Sequence, residues 1–200
     1  MPDIKKDAAI MPPKILFVED DYVSMHYLKD AIEEEFPEFS VELTAEAALV
    51  ERLKTEKFDL ILADIMIHNK SQGPDGEMVE NMQFEDVNWR ITGAEFIRRL
   101  RSGDFEARGK NRSGTLATVP VIALSAVADM GIKRDLEKNW GIAHYAEKPF
   151  DLDDLFEKIQ ELLAKSTDDE APANAEKSTD DAPADNTTTA DNAAAGEESA

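Results

Sequence analysis

Short, unbroken apolar runs alternate with stretches of helical period along residues 14–164. Ile15-Leu16-Phe17-Val18, Leu60-Ile61-Leu62-Ala63 and Val121-Ile122-Ala123-Leu124 contain no polar residue. Runs of this length without alternation mark strands buried on both faces. They place strands at 14–18, 60–63 and 119–124, and two briefer runs predict strands at 40–43 and 143–146. Between them, Met25, Leu28, Ile32 and Phe36 share one face of a helix over 22–36, with Pro37 just past its end. Further helices are expected over 45–55, from Gly93 onward with Phe96, Ile97 and Leu100 on one face, and over 130–139. A last helix starts at Asp151 as N-cap and carries a stripe of Leu152, Leu155, Phe156, Ile159, Leu162 and Leu163. Five β-α units in succession predict an α/β fold, a five-stranded parallel doubly wound sheet covered on both faces.

Composition sets the boundaries. Of the 200 residues, those from 165 to 200 include no Val, Ile, Leu, Met or aromatic residue and hold two lysines against ten acids. A segment this poor in apolar surface cannot offset its conformational entropy, so 165–200 is expected to be a disordered acidic tail. It contains KSTDD twice, at 165–169 and 177–181, a pattern more simply read as a solubilising low-complexity tail than as a kinase target. Pro12-Pro13 end a flexible leader over 1–13, and 14–164 fits one domain. A net charge of −21 argues against nucleic acid or an anionic membrane as partner. The absence of cysteine excludes a disulfide framework and thiol chemistry. No secretory signal and no run of 18 apolar residues is found, which gives the expectation of a soluble cytoplasmic protein.

The chemistry-bearing residues stand where the strands end. Glu19-Asp20-Asp21 follows the first strand, Asp64 the third, Ser125 the fourth and Lys148-Pro149 the fifth. In an open parallel sheet these ends converge on one crevice. Carboxylates, a hydroxyl and an ammonium there describe a pocket suited to a divalent metal and a phosphoryl group. The ordered motifs VEDD, LADIM, TGAEFIRRLR, VIALSA and YAEKPF, each weak alone, together resemble the receiver domain of two-component response regulators, a flavodoxin-like fold. The resemblance implies that Glu19 and Asp20 are the acidic pair and Asp64 the phosphoacceptor. It implies that Mg²⁺ is held by Glu19, Asp20, Asp64 and the backbone carbonyl of Met66. Lys148 and Ser125 would then assist catalysis, and Ser125 and Tyr145 would form the switch, with Tyr145 swinging inward as Ser125 moves. Asp21 is left as a helix-start acid.

The function implied is that of a single-domain response regulator. It would take a phosphoryl group from a phosphohistidine onto Asp64, with Mg²⁺, and then switch the binding of a downstream target or relay the group. A sensor histidine kinase or histidine phosphotransfer protein would be its partner, and no separate turnover activity is expected. A non-phosphorylated receiver-like adaptor is the alternative. A phosphoaspartate hydrolase of the haloacid dehalogenase kind is disfavoured, because neither Glu19-Asp20-Asp21 nor Asp64-Ile65-Met66 has the Asp-x-Asp spacing.

Two insertions depart from the family pattern. Residues 69–90 leave from beside the pocket, after His68, which occupies a position usually held by proline, and delay the Thr92-Gly93 turn. With Met78, Val79, Met82, Phe84 and Trp89, this segment is expected to be a lid or partner-binding element. Residues 102–118 carry Arg108, Lys110 and Arg112 and are expected to form a mobile basic loop at the far end of the sheet. Met66 and Val127 are both apolar and each two residues past a site residue. The resemblance implies that these positions influence water attack on the phosphoryl group, so its loss is expected to be slow. His26, His68 and His144 are assigned no role.

Overall fold

A computed structural model describes residues 12–107, 114–126 and 129–168. The leader before Pro12, the tail beyond Asp168, Val127 and the three basic residues 108, 110 and 112 lie outside the described residues. The central sheet contains β1 (Lys14–Val18), β2 (Ser40–Leu43), β3 (Leu60–Asp64), β6 (Val121–Ser125) and β7 (His144–Glu147), all parallel, in the order β2-β1-β3-β6-β7. The order reverses between β1 and β3, so the crevice opens beside the ends of those two strands.

The uninterrupted apolar runs are explained by two cores, one on each face. Ile15, Phe17, Leu60, Leu62, Ile122 and Leu124 point to one side. They meet Leu28, Ile32 and Phe36 from α1 (Tyr22–Glu35) and its C-terminal end, together with Leu155, Ile159 and Leu163 from α5 (Leu152–Asp168). Leu16, Val18, Ile61, Ala63, Val121 and Ala123 point to the other. They are covered by Leu49 of α2 (Leu49–Arg52), Phe96, Ile97 and Leu100 of α3 (Thr92–Arg101) and Leu136 of α4 (Met130–Asn139). Asp151 caps α5 as expected, its Oδ1 accepting from the backbone N–H of Asp153 at 2.9 Å.

Three expectations change. The helix expected over 45–55 shrinks to Leu49–Arg52, because the backbone before it is engaged elsewhere. Met82 N–H donates to the Ala45 carbonyl at 2.8 Å and Ala47 N–H to the Glu80 carbonyl at 3.0 Å. The strand expected from 119 begins at Val121, since Pro120 has no N–H to give the ladder and contributes only its carbonyl, to Ile61. Residues 69–90 contain an antiparallel hairpin, β4 (Lys70–Gln72) paired with β5 (Met78–Glu80). Its turn closes with Gly76 at φ +87°, a conformation glycine adopts without strain.

Past the hairpin the insertion joins the core. Met82 is buried, and Phe84 stacks on Phe105 at 6.4 Å with the Arg99 guanidinium 4.6 Å from its ring centroid. A single 3-10 turn, Trp89–Ile91, then leads into α3. The described flanks of the second insertion are anchored as well. Phe105 is buried against Phe96, and the Thr115 hydroxyl donates to the Glu56 carbonyl at 2.7 Å.

Candidate active site

The strand ends deliver the buried polar residues to one place. Asp64 closes β3, and its Oδ1 accepts from the Met66 N–H at 2.8 Å. Its Oδ2 pairs with the Lys148 ammonium, which also contacts Glu19 Oε2 at 2.7 Å. The other Glu19 oxygen, Oε1, accepts from the backbone N–H groups of Asp20 (3.0 Å) and Asp21 (3.1 Å). Glu19 and Asp64 are both buried, at 2 % and 4 % exposure. Lys148 is itself placed by its backbone, whose N–H donates to the Ser125 carbonyl at 2.7 Å, tying the end of β7 to the end of β6.

Asp20 is drawn to the side. Its Oδ2 accepts from the His68 backbone N–H at 3.2 Å and lies 3.0 Å from His68 Nδ1. Among the described residues no three His, Cys, Asp or Glu side chains are gathered as a ready-made cation cage. Asp21 is the helix-start acid anticipated, its Oδ1 capping Ser24 N–H at 3.0 Å.

The switch pair differs from expectation. Tyr145 already points inward, buried at 6 % exposure, rather than waiting outside. Its hydroxyl is in hydrogen-bonding reach of Ser125, and the Lys133 ammonium sits 5.2 Å from its ring centroid. Burial raises the Tyr145 pKa, against the hydrogen bond from Ser125. The physical reason for the inward state lies in β7, where Tyr145 falls on the face turned toward Leu136 and α3.

The electrostatics are those of a site with excess negative charge. Burial first, then the Asp64 charge, push the Glu19 carboxyl up to about 7, with Lys148 opposing both. Burial raises Asp20 as well, against the donors of His68. Burial works against the Lys148 ammonium too, but the two carboxylates outweigh it and hold its pKa above the usual lysine range.

Glu19 therefore gives a pH signature. Its pKa is 4.5 unfolded and about 7 folded, so the folded state binds the proton more tightly. That contribution to stability is complete below pH 4.5 and lost as pH rises through 7. Glutamine mimics the protonated acid, so Glu19→Gln and wild type should match near pH 4.5 without metal. The variant should then gain on the order of 2 kcal/mol over wild type by pH 8. Urea denaturation at a series of pH values measures the difference, and a pH-independent one would mean that Glu19 stays ionised.

His68 is the residue that sequence reasoning missed. Its position four residues past Asp64, in the loop that leaves β3, was the available signal.

No protein-family profile matches the chain. It is 27 % identical over 150 residues to the transcriptional regulatory protein CrdR of Helicobacter pylori, covering 75 % of this chain and 54 % of that one. It is 24 % identical over 152 residues to the response regulator ArlR of Staphylococcus saprophyticus, covering 76 % and 53 %. The chain thus spans about half the length of the curated relatives it matches. Among solved structures, it is similar to a signal receiver domain of an HD domain-containing protein from Pseudomonas fluorescens Pf-5, with TM-score 0.54, 15 % identity, and 78 % and 98 % of the two chains covered. A CheY-like receiver domain protein of Methanospirillum hungatei JF-1 gives TM-score 0.50, 24 % identity and the same coverage. Sheet order and relatives agree that this chain has the fold of a receiver domain and is similar, over that domain, to response regulators.

Proposed function

We propose that Asp64 accepts a phosphoryl group from a phosphohistidine and that the protein then binds a target or passes the group on. The observation that carries this reading is the half-buried Lys148 ammonium bridging Asp64 and Glu19. A carboxylate is a competent nucleophile toward phosphorus once its repulsion with the phosphoryl oxygens is screened. An Asp64 oxygen attacks phosphorus, the bond from phosphorus to the donor's imidazole nitrogen breaks, and the imidazole leaves with the electron pair and is protonated. Lys148 neutralises charge that builds on the transferring group, from a position already fixed by its two partners.

The donor set suits a hard divalent cation, since Glu19 and Asp64 share one ammonium, Asp20 is a third buried acid beside Glu19, and Glu19 is already pushed toward protonation. Glu19, Asp20, Asp64 and the Met66 carbonyl would hold Mg²⁺, which when bound would screen the attacking carboxylate from the phosphoryl oxygens. Ser125 would donate its hydroxyl to a phosphoryl oxygen on Asp64. That oxygen competes with Tyr145 for the same hydroxyl, so modification of Asp64 is felt at Tyr145 and at Lys133 above it.

In this reading the protein is a phosphoacceptor rather than a turnover enzyme. A histidine kinase or phosphotransfer protein of the cytoplasm supplies the group. Among the described residues no helix is long and apolar enough to cross a membrane. Intact-protein mass spectrometry after incubation with acetyl phosphate tests the reaction. One phosphoryl group should be gained with Mg²⁺ and none with EDTA, and an unmodified protein in the presence of Mg²⁺ would overturn the reading.

A further inference from the structure

We infer that His68, braced by Trp89, is a positioning residue that sets the Asp20 carboxylate for the cation. This inference rests on the function proposed above. Asp20 is buried, and one of its carboxylate oxygens, Oδ2, receives two donors from one residue, the backbone N–H and Nδ1 of His68. Two donors on one oxygen fix the rotation of the carboxylate and direct its other oxygen, and they oppose the rise in pKa that burial imposes on Asp20. Groups that hydrogen-bond a metal-binding side chain in this way orient it and tune its affinity.

The His68 side chain is 57 % exposed, so burial does not hold the ring in place. Trp89 does. Their ring centroids lie 4.2 Å apart with the planes at 18°. Trp89 is itself fastened, its carbonyl accepting from Ile67 N–H at 3.0 Å and the Arg90 guanidinium lying 5.3 Å from its ring centroid. Residues 68 and 89 bracket the hairpin insertion, and its base is closed by Asn81. The Asn81 side-chain amide donates to the His68 carbonyl at 2.9 Å, and its backbone N–H to the Asn69 carbonyl at 3.0 Å. The insertion thereby becomes a brace running from the start of α3 to the acid site, in addition to any contact its exposed hairpin makes.

Donor and stack are separable by substitution. His68→Phe keeps a ring for Trp89 to stack on and removes the Nδ1 donor, while His68→Asn puts an amide nitrogen in the place of Nδ1 and removes the ring. Isothermal titration with Mg²⁺ alone reads the affinity, and circular dichroism confirms folding. His68→Phe should bind Mg²⁺ about 10-fold more weakly. His68→Asn, which restores the donor without the braced ring, should recover part of that loss, and Trp89→Ala should weaken binding several-fold with His68 intact. Wild-type affinity in His68→Phe, or equal losses in the Phe and Asn variants, would overturn the positioning role while leaving the receiver reading in place. A wild type that takes up no Mg²⁺ would remove the cation site itself, and this inference with it.

Discussion

Asp64→Asn is expected to take up no phosphoryl group from acetyl phosphate under conditions that modify the wild type, while keeping the fold. The amide has the shape of the carboxylate, and its oxygen can still accept the Met66 N–H. Lys148 keeps Glu19 as a partner. What is lost is the nucleophile, since an amide oxygen does not form an acyl phosphate, so uptake should fall by at least about 100-fold. A second consequence separates this variant from one that merely misfolds. The Asp64 charge is the second largest cause of the raised Glu19 pKa, after burial. Removing it should move the Glu19 titration downward from about 7, as followed by carboxyl chemical shifts in metal-free protein. Continued phosphorylation of Asp64→Asn would place the acceptor elsewhere. An unmoved Glu19 titration would mean that the two carboxylates do not share one environment.

The arrangement links the chemistry to the rest of the molecule through few bonds. Ser125 supplies its hydroxyl to Tyr145 and its carbonyl to the Lys148 N–H. The residue that would sense the phosphoryl group is therefore bonded to the residue that would stabilise its transfer. A shift at the end of β6 is carried to both ends of the short segment 145–148.

Much of this was legible along the chain, for a physical reason. A parallel sheet buried on both faces writes its strands as unbroken apolar runs, and the first polar residue after each run is where the crevice must lie. Glu19, Asp64 and Ser125 were found in that way, and Lys148 one residue further on. The Glu19, Asp64 and Lys148 side chains meet, and Ser125 is tied to Lys148 through its carbonyl. The hairpin was hidden because β4 and β5 are three residues each and rest on one alternation, Ser71 opposite Val79, too short to stand out as a period. The truncation of α2 was hidden for a related reason. Ala45 and Ala47 favour a helix locally, and only the insertion's backbone, more than thirty residues on, draws them into pairing. His68 and Asp20 are 48 residues apart, and their contact depends on where the insertion turns back. Tyr145 lies on the β7 face that packs toward Leu136, and its inward state beneath Lys133 depends on α4 coming down over that face, a contact between elements that the local pattern does not display.

Gly93→Ala is expected to be the most damaging single methyl that can be added to this domain's active-site end. A Cβ built on Gly93 would lie 1.7 Å from the Asp64 carbonyl oxygen, 2.8 Å from its carbon and 3.0 Å from the Ile65 Cα. All three are backbone atoms at the end of the central strand, so no side chain can rotate away to make room. The closeness is built in, because the Gly93 N–H donates to the Ile65 carbonyl at 3.0 Å and so draws the first turn of α3 onto β3. Overpacking typically costs 1–3 kcal/mol where neighbours can adjust, and here the cost should reach about 3 kcal/mol or more. Urea denaturation measures it, with Gly131→Ala as comparison. There the nearest atom is a side-chain oxygen, Asp129 Oδ1 at 3.1 Å, and the change should be small. The strain falls on the phosphoacceptor's own backbone, so whatever fraction of Gly93→Ala remains folded should also phosphorylate more slowly than wild type. If the two alanine variants denature alike, α3 does not ride on the Asp64 backbone, and the turn that fixes the nucleophile has to be sought elsewhere.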